Sequence, residues 1–187
     1  GFFQGDGAAG EAADQRRLRH LIPENRLLAY EVRAVLHTLA DEGSVLELRR
    51  DFGQALVTAF MRVEGRRFGV LANDSRHLGG AIDADAADKA ASFVQLCDAH
   101  GLPLVSLCDT PGFMVGPDAE KQGLVGHVMR FMAQGAKVQV PHFTVVTRKC
   151  YGLGGLAMNL GSHTRPLFHV AWPSGEYGAM NPEGSVR

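Results

Sequence analysis

The chain has 187 residues, of which 45% are hydrophobic and 21% charged, with a formal net charge of -1. This composition fits a compact globular domain and excludes a disordered segment. The densest basic cluster is Arg16-Arg17-Arg19, so nucleic-acid binding has no electrostatic support, and no apolar stretch approaches the roughly 20 residues of a membrane-spanning helix.

Residues 5–14 are rich in glycine and alanine and read as a linker, and residues 1–22 together as a tail from a preceding domain. Within them, 15–21 is expected to form a short basic helix. Residues 30–40 place Val32, Val35, Leu36 and Leu39 at helical spacing. Strands are expected over 45–48, 55–63 and 68–72, with Glu64-Gly65 as the turn between the last two. The 68–72 run is apolar throughout, as in a strand buried on both faces. A helix over 85–98 follows, then a strand over 102–108, a helix over 118–133, a strand over 142–147, a helix over 152–160 and a strand over 168–172. This alternation predicts an α/β domain with parallel crossovers, in which function sits at the carboxyl ends of the strands.

Cys97, Cys108 and Cys150 are odd in number and form no CxxC pair, which reads as reduced thiols in a cytoplasmic protein. The start, Gly1-Phe2-Phe3-Gln4-Gly5, has neither Met nor a signal-peptide pattern and is expected to be an internal cut of a longer chain. The eight histidines show no metal-ligand spacing, so no metal site is expected. There is no GxSxG nucleophile elbow. Asp83, Asp85, Asp88 and Lys89 read as a helix start with a solvated charged face, the acids suiting the positive end of the helix dipole.

Three strand-to-helix turns are rich in glycine: 73–80, 109–116 and 151–155. Glycine lets the backbone approach a ligand closely, and a turn that opens a helix leaves N–H groups without carbonyl partners. Tyr151-Gly152-Leu153-Gly154-Gly155 therefore reads as a backbone site for an anion or a developing oxyanion, or more plainly as tight strand–helix packing. Asp109-Thr110-Pro111-Gly112-Phe113 reads either as an ordinary strand exit or as the second wall of the same cleft, with the Gly112 and Phe113 N–H groups pointing inward. Nucleotide hydrolysis would need a GxxxxGK[ST] loop, which is absent. Dinucleotide binding stays open, because Gly152-x-Gly154-x-x-Ala157 matches the GxGxxA spacing and Glu176 follows the next strand.

Taken in order, the segments resemble a known family. They include Tyr30-Glu31-Val32-Arg33, the run from Val57 through Gly65, Gly69-Val70-Leu71-Ala72-Asn73, Leu78-Gly79-Gly80-Ala81-Ile82-Asp83 and Ala86-Ala87-Asp88-Lys89-Ala90-Ala91-Ser92-Phe93. They continue with Asp109-Thr110-Pro111-Gly112-Phe113, Arg148-Lys149-x-Tyr151-Gly152 and Ala171-Trp172-Pro173. Residues 23–187 are similar to the C-terminal half of the carboxyltransferase domain of biotin-dependent acyl-CoA carboxylases. The resemblance implies a crotonase-like (ClpP/crotonase) fold of repeated strand-strand-helix units. It implies two halves in the whole enzyme, an N-terminal one binding acyl-CoA and a C-terminal one receiving carboxybiotin from a biotin carboxyl carrier domain, with the active site between halves of different subunits in an oligomer.

The implied chemistry moves a carboxyl group from biotin N1 to the α-carbon of a short acyl-CoA. Negative charge builds on the ureido and thioester oxygens, N1 takes the α-proton, and no side-chain base is needed. Oxyanion holes are needed, and the N–H groups of Leu153 and Gly154, faced by Gly112 and Phe113, are the candidates, with Tyr151, Gly152, Gly155 and Thr110 lining the biotin side. The sequence departs from the usual pattern at Leu153, at Ala59 where glycine is usual, and at Asp74-Ser75 in place of Asn-Pro. It matches only part of the domain. A decarboxylase running the reverse step and a non-catalytic scaffold remain as alternatives.

Overall fold

The computed structural model describes residues 13–25, 27–121, 123–161 and 167–180. The expected linker residues 5–12 lie outside these. A 3-10 turn over Gln15–Arg17 leads into α1 (Leu18–Leu21) and α2 (Val32–Leu39). Then come β1 (Leu46–Leu48), β2 (Leu56–Val63), β3 (Arg66–Asn73), α3 (Ala84–Ala99) and β4 (Leu104–Thr110). The chain continues with α4 (Pro117–Lys121), α5 (Leu124–Lys137), β5 (His142–Tyr151), α6 (Gly152–Met158), β6 (Phe168–Ala171) and β7 (Glu176–Gly178).

The sheet order follows the chain, β1-β2-β3-β4-β5-β6, with β7 also paired to β5. β1, β2 and β3 are antiparallel, whereas β3, β4, β5 and β6 run parallel. The β2–β3 hairpin closes on Glu64 and Gly65, both at positive φ (50° and 76°), as a two-residue hairpin turn requires. Asp41 holds that turn by accepting both N–H groups at 2.8 Å. Alternation along β2 splits the core in two: Leu56 and Phe60 face α3, α5 and α6, while Val57 and Met61 face α1 and α2.

The described elements follow the expected α/β alternation, with differences that have local causes. The expected 118–133 helix is two helices. Gly123, at φ 68°, takes the left-handed conformation at the start of α5, where a side chain would be strained. β5 runs to Tyr151 rather than stopping at 147, and β7 was not expected.

The solvated face expected at the start of α3 holds for Asp85, which is exposed, and Asp83 caps the helix by accepting from Ala86 N–H at 2.8 Å. It fails at Lys89. That side chain is 1% exposed, and its Nζ donates to Phe52 O and Leu56 O, both at 2.8 Å, tying α3 to the turn that enters β2. Burial lowers its pKa to about 8.

Candidate active site

The three glycine-bearing turns leave the carboxyl ends of β3, β4 and β5, which are neighbours in the parallel part of the sheet. They therefore converge. Gly80 (φ 88°) sits so close to the end of β4 that an added Cβ would lie 2.3 Å from Asp109 O. Asn73 fastens the same two strands: its Oδ1 accepts the Asp109 N–H at 3.0 Å and its Nδ2 reaches Gly80 O at 3.5 Å.

Below the turns lies a buried charged platform. Asp109 and Arg148 are each 1% exposed in their side chains, and Arg148 donates through Nε (3.1 Å) and Nη2 (2.8 Å) to one Asp109 oxygen. The other oxygen accepts the Lys149 N–H at 3.1 Å. Lys149 Nζ lies 3.6 Å from Asp109 and donates to Gly79 O at 2.9 Å, closing the ring back to the first turn. Arg148 Nη1 extends outward to Leu28 O (2.6 Å) and Asn25 O (3.2 Å), and the guanidinium stacks 4.7 Å above the Tyr30 ring. Tyr30 is bonded to Thr147 Oγ1 at 3.1 Å, and burial followed by the Asp109 charge pushes its hydroxyl up.

The second and third turns touch backbone to backbone. A Cβ on Gly154 would lie 2.6 Å from Gly112 Cα and 2.8 Å from Gly112 C. Only hydrogen at position 154 permits this approach, whereas Gly112 has space for a side chain and is required instead by its φ of 131°. Gly112 (φ 131°) gives its N–H to Thr110 Oγ1 at 3.2 Å, and its carbonyl accepts from Ile82 N–H at 3.0 Å. The return bond from Met114 N–H to Ile82 O (2.9 Å) leaves the Phe113 N–H pointing the other way, with no partner among the described residues.

α6 starts at Gly152 (φ 54°), and the first N–H groups of a helix have no intrahelical acceptor, which includes those of Leu153 and Gly154. Leu153 is 60% exposed and Gly154 is buried. Gly155 packs on its own strand, where an added Cβ would meet Cys150 Sγ at 2.8 Å.

The structure thus brings Leu153, Gly154, Gly112 and Phe113 into one place, with the Gly112 N–H already engaged by Thr110. Of the four residues expected on the biotin side, Gly152 is exposed, whereas Thr110, Tyr151 and Gly155 are buried. The Tyr151 hydroxyl donates to Glu176 Oε2. Glu176 begins β7 and is engaged there, and α6 has only seven residues, so the dinucleotide reading loses both its acid and its long helix. Sequence reasoning missed the Asp109–Arg148 pair as a unit. Its signal was a lone arginine at the end of one parallel strand and a lone aspartate at the end of its neighbour.

Cys97, Cys108 and Cys150 are free and buried. Burial pushes Cys97 up to about 12, and the bond to Cys150, together with burial, raises Cys108. Among the described residues no group of three or more His, Cys, Asp or Glu is placed to hold a metal ion, and no helix is long and apolar enough to cross a membrane.

Comparison with known proteins decides the family. The Carboxyl transferase domain model matches residues 7–187. The chain belongs to this family. Among carboxyl transferase relatives it is 39% identical to the propionyl-CoA carboxylase beta chain of Roseobacter denitrificans, over 89% of this chain and 32% of that one. It is 38% identical to the methylmalonyl-CoA carboxyltransferase 12S subunit of Propionibacterium freudenreichii subsp. shermanii, over 94% and 33%. Among solved structures, a single-chain, multi-domain long-chain acyl-CoA carboxylase superposes with a TM-score of 0.96 at 53% identity, over 100% of this chain and 19% of that one. The hexameric transcarboxylase 12S core superposes at 0.85 with 38% identity, over 93% and 34%. The fold is the crotonase-like α/β fold of carboxyltransferases. The chain spans about a third of the length of the curated relatives it matches.

Proposed function

We propose that this chain is the carboxybiotin-receiving half of the carboxyltransferase of a biotin-dependent acyl-CoA carboxylase. Residues 23–187 form the C-terminal subdomain and residues 1–22 lead into it. Its partners are an N-terminal half that binds the acyl-CoA, a biotin carboxyl carrier domain, and further copies in an oligomer. Relatives named for propionyl-CoA and for long-chain acyl-CoA support the thioester substrate class, with chain length set by the acyl-CoA-binding half.

One observation carries the reading. Two glycine turns meet backbone to backbone at the carboxyl ends of adjacent parallel strands, with helix-start N–H groups on one side and the unpartnered Phe113 N–H on the other. Neutral, preorganised N–H donors suit an oxygen on which negative charge develops and do not bind a neutral carbonyl equally well. Carboxybiotin, when delivered, supplies the carboxyl group. This chain's residues hold the accepting geometry: Gly154 admits the close approach, Thr110 fixes Gly112, and the Asp109–Arg148–Lys149 platform fixes all three turns. Among them no side chain is needed as a base.

The test uses the full-length protein with a biotinylated carrier and follows labelled carboxylate into acetyl-, propionyl- and long-chain acyl-CoA. Gly154→Ala, whose Cβ would push α6 off Gly112, should lower transfer about 10²–10³-fold, the usual cost of losing one oxyanion donor. Absence of transfer in the folded, assembled wild-type complex overturns the reading, and net release of carboxylate from malonyl-type thioesters assigns the reverse reaction instead.

A further inference from the structure

The Tyr151 side chain is 2% exposed although it immediately precedes the exposed Gly152. Its neighbour across the ladder to β7 is Gly178, which has no side chain, while Glu176 lies opposite Lys149, two residues earlier on the same face. Diagonal neighbours of this kind are within reach of an aromatic side chain. The Tyr151 hydroxyl accordingly donates to Glu176 Oε2.

β7 itself is short, with three paired positions against β5. Yet it and the residue after it form one wall of a cavity of about 340 Å³. Tyr177, Gly178 and Ala179 stand on one side, with Gly152, Gly155 and Cys150 on the other. Gly152 abuts that wall, since an added Cβ would lie 3.1 Å from Ala179 O. On its opposite side Tyr151 approaches the second turn, its carbonyl 4.0 Å from where a Gly112 Cβ would be. The start of α6 is therefore held between Gly112 and β7, and the tyrosine–carboxylate bond ties β7 to this turn through a charged acceptor, which makes it stronger than a neutral hydrogen bond.

We infer that Tyr151 and Glu176 are positioning residues, a clamp that fixes β7 against the first turn of α6 and so sets where the Leu153 and Gly154 N–H groups point. Neither touches the reacting atoms, and the inference rests on the proposed carboxyl transfer for its effect on rate. Loosening the clamp leaves acyl-CoA binding, which belongs to the other half, and misplaces the donors. A misplacement of about 1 Å at such a site costs up to about 10²-fold.

The experiment compares Tyr151→Phe, Glu176→Ala and Glu176→Gln in the full-length enzyme. Tyr151→Phe and Glu176→Ala should lower kcat by about tenfold or more while KM for acyl-CoA stays within about twofold, the signature of an interaction realised in the transition state. Glu176→Gln keeps an acceptor oxygen and should recover most of the rate. Unchanged kcat in Tyr151→Phe, or KM rising in step with no recovery by glutamine, overturns the clamp. Hydrogen exchange separates this from the proposed function. Faster exchange of the Leu156 and Ala157 amides, which lie past the unbonded first turn of α6, in Tyr151→Phe supports the clamp even where the wild type transfers no carboxylate, and unchanged exchange overturns it even where transfer is robust.

Discussion

At the carboxyl ends of β3, β4 and β5 buried charge and fixed backbone donors are abundant, whereas the α2 face of the same sheet is apolar and carries the larger hollow. There Leu39, Met61, Phe68, Val105, Phe143 and Val145 line an apolar hollow of about 430 Å³. The one amide that edges it, Gln15, is already spent on the carbonyls of Ala13 and Thr38. Volume therefore does not locate chemistry in this domain. The hollow offers nothing to a developing charge, while the crowded end offers fixed donors held by glycine contacts and a buried ion pair.

That contrast makes the crowded end intolerant and the hollow forgiving. The largest effect is expected from Arg148→Met, which leaves the Asp109 carboxylate buried without its partner. Breaking such a pair from one side costs about 3–5 kcal/mol, to be read from urea unfolding, and a loss under about 1 kcal/mol would erase the contrast.

Lys89→Met comes next. It strands the carbonyls of Phe52 and Leu56 at a cost of about 1–3 kcal/mol. The wild type carries a pH signature that the variant lacks. With the folded pKa near 8 and the unfolded one near 10.4, the unfolded chain binds more protons between these values. Wild-type stability relative to the variant should therefore rise through that window and stay flat below it. A flat difference from pH 7 to 11 would mean that Lys89 is hydrated.

The smallest effect is expected from Val105→Leu, which adds one methylene toward the hollow. Stability should change by less than about 1 kcal/mol and transfer not at all. A large drop in transfer would draw the hollow into the site.

Much of this was readable from local pattern. The apolar runs marked β2, β3 and β4, Glu64-Gly65 marked the hairpin, and the three glycine turns marked the right end of the sheet. What escaped had its cause far away in sequence. The strand expected over 142–147 stopped short of Arg148-Lys149, whose place in β5 is fixed by the pairing of Arg148 with Asp109, 39 residues earlier. Lys89 looked solvated, but its acceptors lie 37 and 33 residues back. β7 is three residues long and shows no apolar alternation. Gly123 did carry a local signal for the break before α5, and the amphipathic period around it masked that signal. At the site, glycine content pointed to the turns, but which N–H groups are engaged depends on Thr110 and Ile82, a matter of register rather than composition.

The reach of Arg148 to Leu28 O spans 120 residues. On a ribosome adding about 5–20 residues per second, Leu28 emerges roughly 6–24 s before the guanidinium that bonds its carbonyl. During that interval the Leu28 carbonyl has only water as a partner, while the Asn25 carbonyl can already accept the local Leu28 N–H. The last strand to be made on this platform thus anchors an early segment of the chain, so vectorial synthesis delays that contact until β5 has been translated.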